Sequence, residues 1–185
     1  MRQARSICLR DGLWHEWEDR VILCPECKRE RDEARERARR IALEERRAAL
    51  AAAAKEPVPH VAGPLPKTIV LDTETTGLRG WSDHLLTVGV VDGEGVEVAS
   101  FRVCPPPECY EWPEAEEVNG IGPADTVAWP AVEDVRPELQ RILDAADTVI
   151  GYNVGFDLEF LRAAGVALPD CEYVDVMAMF APVFG

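Results

Sequence analysis

Two carboxylates stand two residues apart in Leu71-Asp72-Thr73-Glu74-Thr75-Thr76-Gly77, a run entered from the apolar Thr68-Ile69-Val70. Successive side chains of a β-strand point to opposite faces, so on a strand Asp72 and Glu74 share one face. A strand end that presents two acids side by side, followed at once by the small and hydroxylated Thr-Thr-Gly, suits divalent cations, because hard Mg2+ and Mn2+ prefer carboxylate oxygen. A lone Asp-x-Glu is also what an ordinary solvated strand end carries. The whole heptapeptide is far less common.

A third acid follows in Ile150-Gly151-Tyr152-Asn153-Val154-Gly155-Phe156-Asp157. A short apolar strand delivers Asn153 into a turn, and Asp157 falls on the first turn of the next helix, where the positive end of the dipole favours a carboxylate. Taken alone, Asp157 reads as a helix-start acid. A separate metal chemistry is suggested at the N-terminus by Cys24-Pro25-Glu26-Cys27, a Cys-x2-Cys ahead of a helix, with Cys8 and His15 upstream. Cys8, His15, Cys24 and Cys27 would close a tetrahedral structural Zn2+ site, with Asp11 as an alternative to His15. Trp14 and Trp17 could equally pack a metal-free hairpin. Cys104, Cys109 and Cys171 are remote from this set and read as ordinary thiols.

The elements that must position these groups follow from composition. Residues 28–55 are almost all strong helix formers with i,i+4 Glu/Arg pairs, and Ile41, Leu43 and Leu50 are their only sizeable apolar side chains. The expectation is one long exposed helix, a solvated strut rather than a dimerising coiled coil. Pro57, Pro59, Pro64 and Pro66 end it and make residues 56–67 an extended linker. The expected organisation is a zinc-binding segment over 1–27, a charged helix over 28–55, the linker, and a catalytic domain over 68–185.

Within that domain, strand signals run over 68–73, 85–91 and 96–103, with Asp92-Gly93-Glu94-Gly95 as a hairpin turn. Val132, Val135, Leu139, Ile142 and Leu143 make one helical face, 148–151 is a short buried strand, 157–164 is a helix closed near Gly165, and Tyr173 to Val176 is a last short strand. The class is α/β, an antiparallel hairpin layer extended by strands reached through helical crossovers.

Charge narrows the functions. Residues 1–60 carry 14 Lys/Arg against 12 Asp/Glu, whereas residues 61–185 carry 6 against 22. The second segment cannot hold nucleic acid by a broad basic surface. An anionic substrate would have to be held largely by metal ions. No stretch approaches the roughly 18 apolar residues that span a bilayer, and no apolar signal core follows Met1. A cytoplasmic protein without membrane association is expected, its cysteines thiols or metal ligands.

Together the two acidic segments resemble the DEDD (DnaQ-like) superfamily of 3′-5′ exonucleases, which includes DNA-polymerase proofreading subunits and RNA-trimming enzymes. The run from Asp72 to Gly77 matches its first signature throughout, and Asn153 to Asp157, with Leu158, Phe160 and Leu161 behind, matches the second in residue type. The resemblance covers about residues 68–185. It implies a ribonuclease H-like mixed sheet flanked by helices and a two-metal phosphodiesterase using Mg2+ or Mn2+. Asp72, Glu74 and Asp157 would be the metal ligands and catalytic acids. Thr75 and Thr76 would lie beside the terminal nucleotide, and Asn119, where many relatives carry a His-Gly-Ile run, would be a further contact or simply a turn residue before Gly120. Partners would be nucleic-acid 3′ ends, single-stranded by preference, and a polymerase or repair complex.

The family's third motif, a His or Tyr general base with an Asp four or five residues later, has no counterpart here. His15, His60 and His84 all precede Asp157, and Asp175 sits at a structural helix start. The expectation is a C-terminally truncated or degenerate domain that is a weak nuclease as 185 residues, or else a catalytically incomplete binding or scaffold module.

Overall fold

The structure is a computed structural model that describes residues 4–7, 14–17 and 25–184, and it divides into two compact units at Glu45/Arg46. In the first unit, β1 (Ala4–Ile7) and β2 (Trp14–Trp17) form an antiparallel pair with Ser6 opposite His15. The long helix α1 spans Pro25–Ala52, opening on a proline at a position where the missing N–H costs nothing. Residues 31–41 of α1 are all exposed, as their composition predicts. Cys27 is buried on its first turn. Cys8, Cys24 and the alternative ligand Asp11 lie outside the described residues, as does the His15 side chain.

The second unit is built on a five-stranded mixed sheet of order β5-β4-β3-β6-β7, made by β3 (Thr68–Thr75), β4 (Leu85–Asp92), β5 (Glu97–Arg102), β6 (Thr148–Gly151) and β7 (Glu172–Asp175). The first three strands run as an antiparallel meander, and β6 and β7 extend it in parallel. Four helices complete the unit: α2 (Pro113–Asn119), α3 (Val132–Ala145), α4 (Val154–Ala163) and α5 (Val176–Phe184). α2 has no buried residue and was not legible as a helix. The core joins Ile69, Leu71, Val88 and Phe101 of the sheet to Leu139, Ile142 and Leu143 of α3 and Phe160 and Leu161 of α4. Each such buried side chain stabilises the fold by about 1.5–3 kcal/mol relative to exposure.

Two features depart from the composition-based expectations. Arg46, near the end of the helix expected to be exposed throughout, is only 6% exposed. Its guanidinium donates to the carbonyl of Pro123 at 3.0 Å and to the Thr126 hydroxyl at 3.1 Å, and lies 5.5 Å from the Trp112 ring. An arginine whose terminal nitrogens are held by carbonyls and a hydroxyl, with its Nε buried and unbonded, looks like a surface residue in sequence. The proline-rich stretch is extended but lies on the domain: Val58, Val61 and Leu65 pack against the core, and the Val61 N–H donates to Glu138 Oε1 at 2.8 Å. The intervening valines and leucine supply apolar surface that the prolines leave free to bury.

Candidate active site

The register of β3 opens the space the acids face. Its parallel pairing with β6 covers only Thr68 to Val70, because β6 ends at Gly151 and the chain turns away into α4 through Asn153. On its other side β3 stays paired with β4 as far as Thr75, with a bulge between Glu74 and Thr75. Asp72 and Glu74 therefore stand beyond the β3–β6 ladder, at the carboxyl ends of neighbouring parallel strands, where α/β sheets form their crevices. Asn153 takes φ 59°, the left-handed conformation that asparagine tolerates better than most side chains. The burial alternation runs as the strand geometry requires, with Ile69, Leu71, Thr73 and Thr75 buried, Asp72 exposed and Glu74 half-buried.

Asp157 is not a solvated helix-start acid. It lies on the buried face of α4 with Val154, Leu158 and Leu161, and is 3% exposed. Its Oδ1 accepts a hydrogen bond of 2.7 Å from the Thr73 hydroxyl. Burial pushes its pKa up, the Thr73 bond opposes that shift, and the charge of Asp72 adds to it. Glu74 is also raised, first by desolvation and then by Asp72, while a hydrogen bond from Asn119 lowers it. Asp72 is thus the shared neighbour of both other acids.

The structure brings the expected residues together only in part. Glu74, Thr75 and Thr76 line one cleft of about 910 Å³, together with Phe156 and with Glu114, Val118 and Asn119 of α2; Asp72 and Asp157 do not line it. Among the described residues, no three His, Cys, Asp or Glu side chains converge as a set able to hold a metal ion. The donor chemistry of Asp72, Glu74 and Asp157 fits hard divalent cations in kind, without the three closing a single cage. The Thr75 hydroxyl donates to the Gly77 carbonyl at 2.6 Å, and Thr76 Oγ1 accepts from the His84 N–H at 2.8 Å, so both hydroxyls already hold the turn. Asn119 Nδ2 donates to the Thr75 carbonyl at 3.1 Å, and its Oδ1 accepts from the Ile121 N–H at 3.0 Å.

Nothing in the sequence marks Thr73 or Phe156 as a site residue. Alternation sends Thr73 to the face opposite Asp72, and nothing in the sequence tells that Asp157 reaches it. Neither His60 nor His84 joins the cleft: His60 Nδ1 lies 3.2 Å from Glu138 Oε2, and His84 lines a different cavity.

Residues 69–180 match a family model, RNase T, described as exonuclease. Over 94 residues the chain is 30% identical to the DNA polymerase III subunit epsilon of Treponema pallidum (strain Nichols), a match covering 50% of this chain and 43% of that protein. Apo exonuclease I superposes with a TM-score of 0.54 at 18% identity, over 65% of this chain and 31% of that one. E. coli exonuclease I in complex with a dA16 oligonucleotide gives 0.53 at 19% identity, over 63% and 29%. The chain spans less than half the length of these relatives. The structural likeness shows the ribonuclease H-like fold, a mixed sheet with flanking helices.

Proposed function

The chain belongs to the RNase T exonuclease family, whose model covers residues 69–180, and from that premise we propose that it hydrolyses phosphodiester bonds at the 3′ end of DNA or RNA with the help of two Mg2+ or Mn2+ ions. The observation that carries this reading is the meeting of three acids at the β3 end: Asp157 is buried against a hydroxyl partner, and Glu74 and Asp157 are both raised, first by burial and then by the charge of Asp72. Carboxylates crowded without a basic partner are stabilised by a cation.

Asp72, Glu74 and Asp157 are the proposed ligands. Bound cations would supply an activated water and stabilise the leaving oxygen. The Thr73 hydroxyl favours the ionised form of Asp157, and the Asn119 amide does the same for Glu74. Thr75, Thr76 and Asn119 give the cleft the wall against which a terminal nucleotide would lie. A single-stranded end is the substrate form proposed, and the polymerase subunit among the relatives makes a polymerase or repair complex the partner class proposed. At the N-terminus we propose one structural Zn2+ on Cys8, His15, Cys24 and Cys27, supported by the Cys-x2-Cys spacing and the burial of Cys27.

Neither His60 nor His84 lines the acid cleft, which favours a second reading, a catalytically incomplete exonuclease-fold module that binds without cutting. Under that reading no side chain takes the water proton, which forfeits about 10² to 10⁴ in rate and makes turnover slow. The assay is release of mononucleotides from 5′-labelled single-stranded DNA and RNA in Mn2+, with the chain in excess. A ladder shortening from the 3′ end that vanishes in Asp157→Ala supports the enzyme. Binding without cleavage in both supports the module. Mn2+ should also raise the melting temperature, by about 2.7 kcal/mol of stability at a hundredfold excess over its dissociation constant. Equal stabilisation of Asp72→Ala/Glu74→Ala would remove these residues as ligands.

A further inference from the structure

The loop from Gly77 to His84, between β3 and β4, presents a large aromatic side chain to water. Trp81 is 78% exposed, and the Arg79 guanidinium lies 5.7 Å from the centre of its ring. The loop that carries them is tightly fixed. The Asp83 carboxylate accepts from the Arg79 N–H at 2.8 Å, the Ser82 and Asp83 N–H groups donate back to the Arg79 carbonyl at 3.0 and 2.8 Å, and the Gly80 N–H donates to Glu159 Oε1 at 2.9 Å. A Cβ at Gly77 would come within 2.4 Å of Asp83, and one at Gly80 within 2.8 Å of Glu159. The loop is therefore built of residues that allow close approach, and its two neighbouring carboxylates are turned onto backbone donors.

Arg79 lines the acid cleft, and Trp81 lines the adjoining cavity of about 230 Å³. Among the described residues lining the acid cleft, Arg79 is the one cation, set against Glu74, Asp83 and Glu114. Phosphate charge cannot be the main attraction for a polyanion here. Stacking can be, because an aromatic face backed by a guanidinium accepts any base and needs no basic surface.

We propose that Arg79 and Trp81 form a stacking platform for an unpaired base of a single-stranded nucleic acid whose 3′ end lies in the acid cleft, so that affinity comes from base stacking more than from phosphate charge. This rests on the exonuclease reading. It explains how a domain segment with 6 basic and 22 acidic residues could hold such a strand, and why an indole is kept in water on a rigid loop. A duplex hides its base faces, so the platform discriminates against paired ends.

The test is fluorescence anisotropy with the full 185-residue chain and 5′-fluorescein dT12 in Ca2+, beside an oligonucleotide of the same length carrying abasic sites near its 3′ end. Trp81→Ala should bind dT12 about tenfold more weakly, Trp81→Phe should stay close to the parent, and Arg79→Gln should lose a few-fold. The abasic strand should bind parent and Trp81→Ala alike, and log affinity should fall with log salt at a slope near −1, about one phosphate contact. Parental affinity in Trp81→Ala, a remaining preference of that variant for dT12 over the abasic strand, or a slope of −3 or steeper would overturn the platform. If such results come with normal 3′ cleavage, the exonuclease reading survives alone. If the parent neither binds nor cleaves, both fall.

Discussion

The same residue type behaves in opposite ways on two sides of this domain. Where the extended segment before β3 meets α3, Glu138 accepts two bonds from the Arg141 guanidinium at 2.5 and 3.0 Å, a third from the Val61 N–H, and is joined by His60. The Arg141 bonds lead in bringing its pKa down to about 2. At the end of β3, burial and the charge of Asp72 raise Glu74 and Asp157, which have an amide and a hydroxyl for partners. One acid is neutralised from within the chain and clips a strap to a helix. For the others the fold disfavours the charged form, which costs stability when they ionise and is sensible where something outside the chain completes the site.

The sharpest way to break that contrast is at Asp72, the neighbour of both raised acids. Asp72→Ala should lower single-turnover nuclease activity at least about 100-fold, while the melting temperature without divalent cations stays level or rises as repulsion is relieved. A fall in stability with activity retained would make Asp72 a structural acid. The next largest effect belongs to the structural side. Arg46 is a buried cation held by carbonyls and a hydroxyl, so Arg46→Ala takes the donor from the Pro105 carbonyl and the Thr126 hydroxyl, while the Pro123 carbonyl keeps Thr126, and should cost roughly 2–3 kcal/mol in denaturant unfolding.

Thr73→Val probes the hydroxyl that keeps Asp157 ionisable. Loss of this bond should raise the Asp157 pKa further, move the acid limb of the pH–rate profile to higher pH, and cost several-fold in rate at neutral pH. A profile lowered equally at every pH would mean that Thr73 only packs. Glu138→Gln gives the smallest effect and the opposite sign. Glu138 has a folded pKa of about 2 against an ordinary 4.5, so its contribution is present above pH 4.5 and is lost as pH falls toward 2. The variant should flatten that acid limb in thermal melts. For Glu74 and Asp157 the folded pKa lies above the ordinary value, so their contribution is present below it and is lost as pH rises. A metal-free domain in which Asp72→Ala steepens that loss would contradict the electrostatic account of the site.

The readings that succeeded were local. Alternation in Thr68–Thr75 placed Asp72 and Glu74 on one face, the Asp92–Gly95 turn set the β4–β5 hairpin, and the apolar face of α3 appeared at helical spacing, because each depends on residues near in sequence. α2 was missed because it buries nothing and so carries no periodic apolar signal. Arg46 was placed in water because composition cannot show that carbonyls 59 and 77 residues away receive its guanidinium.

The candidate site divides in the same way. Sequence alone determined which acids the chain carries, that two of them share a strand face, and that the domain has no basic surface for a polyanion. Those facts follow from residue type and a two-residue period. Only the tertiary structure decided that Asp157 is buried rather than solvated, that Thr73 bonds it from 84 residues away, and that Arg79 lines the acid cleft while Trp81, beside it, lines the adjoining cavity. The reason is physical: desolvation and the field of neighbouring charges depend on which distant segments share a space, and β6 ending at Gly151 to let α4 turn inward is what brings these segments together.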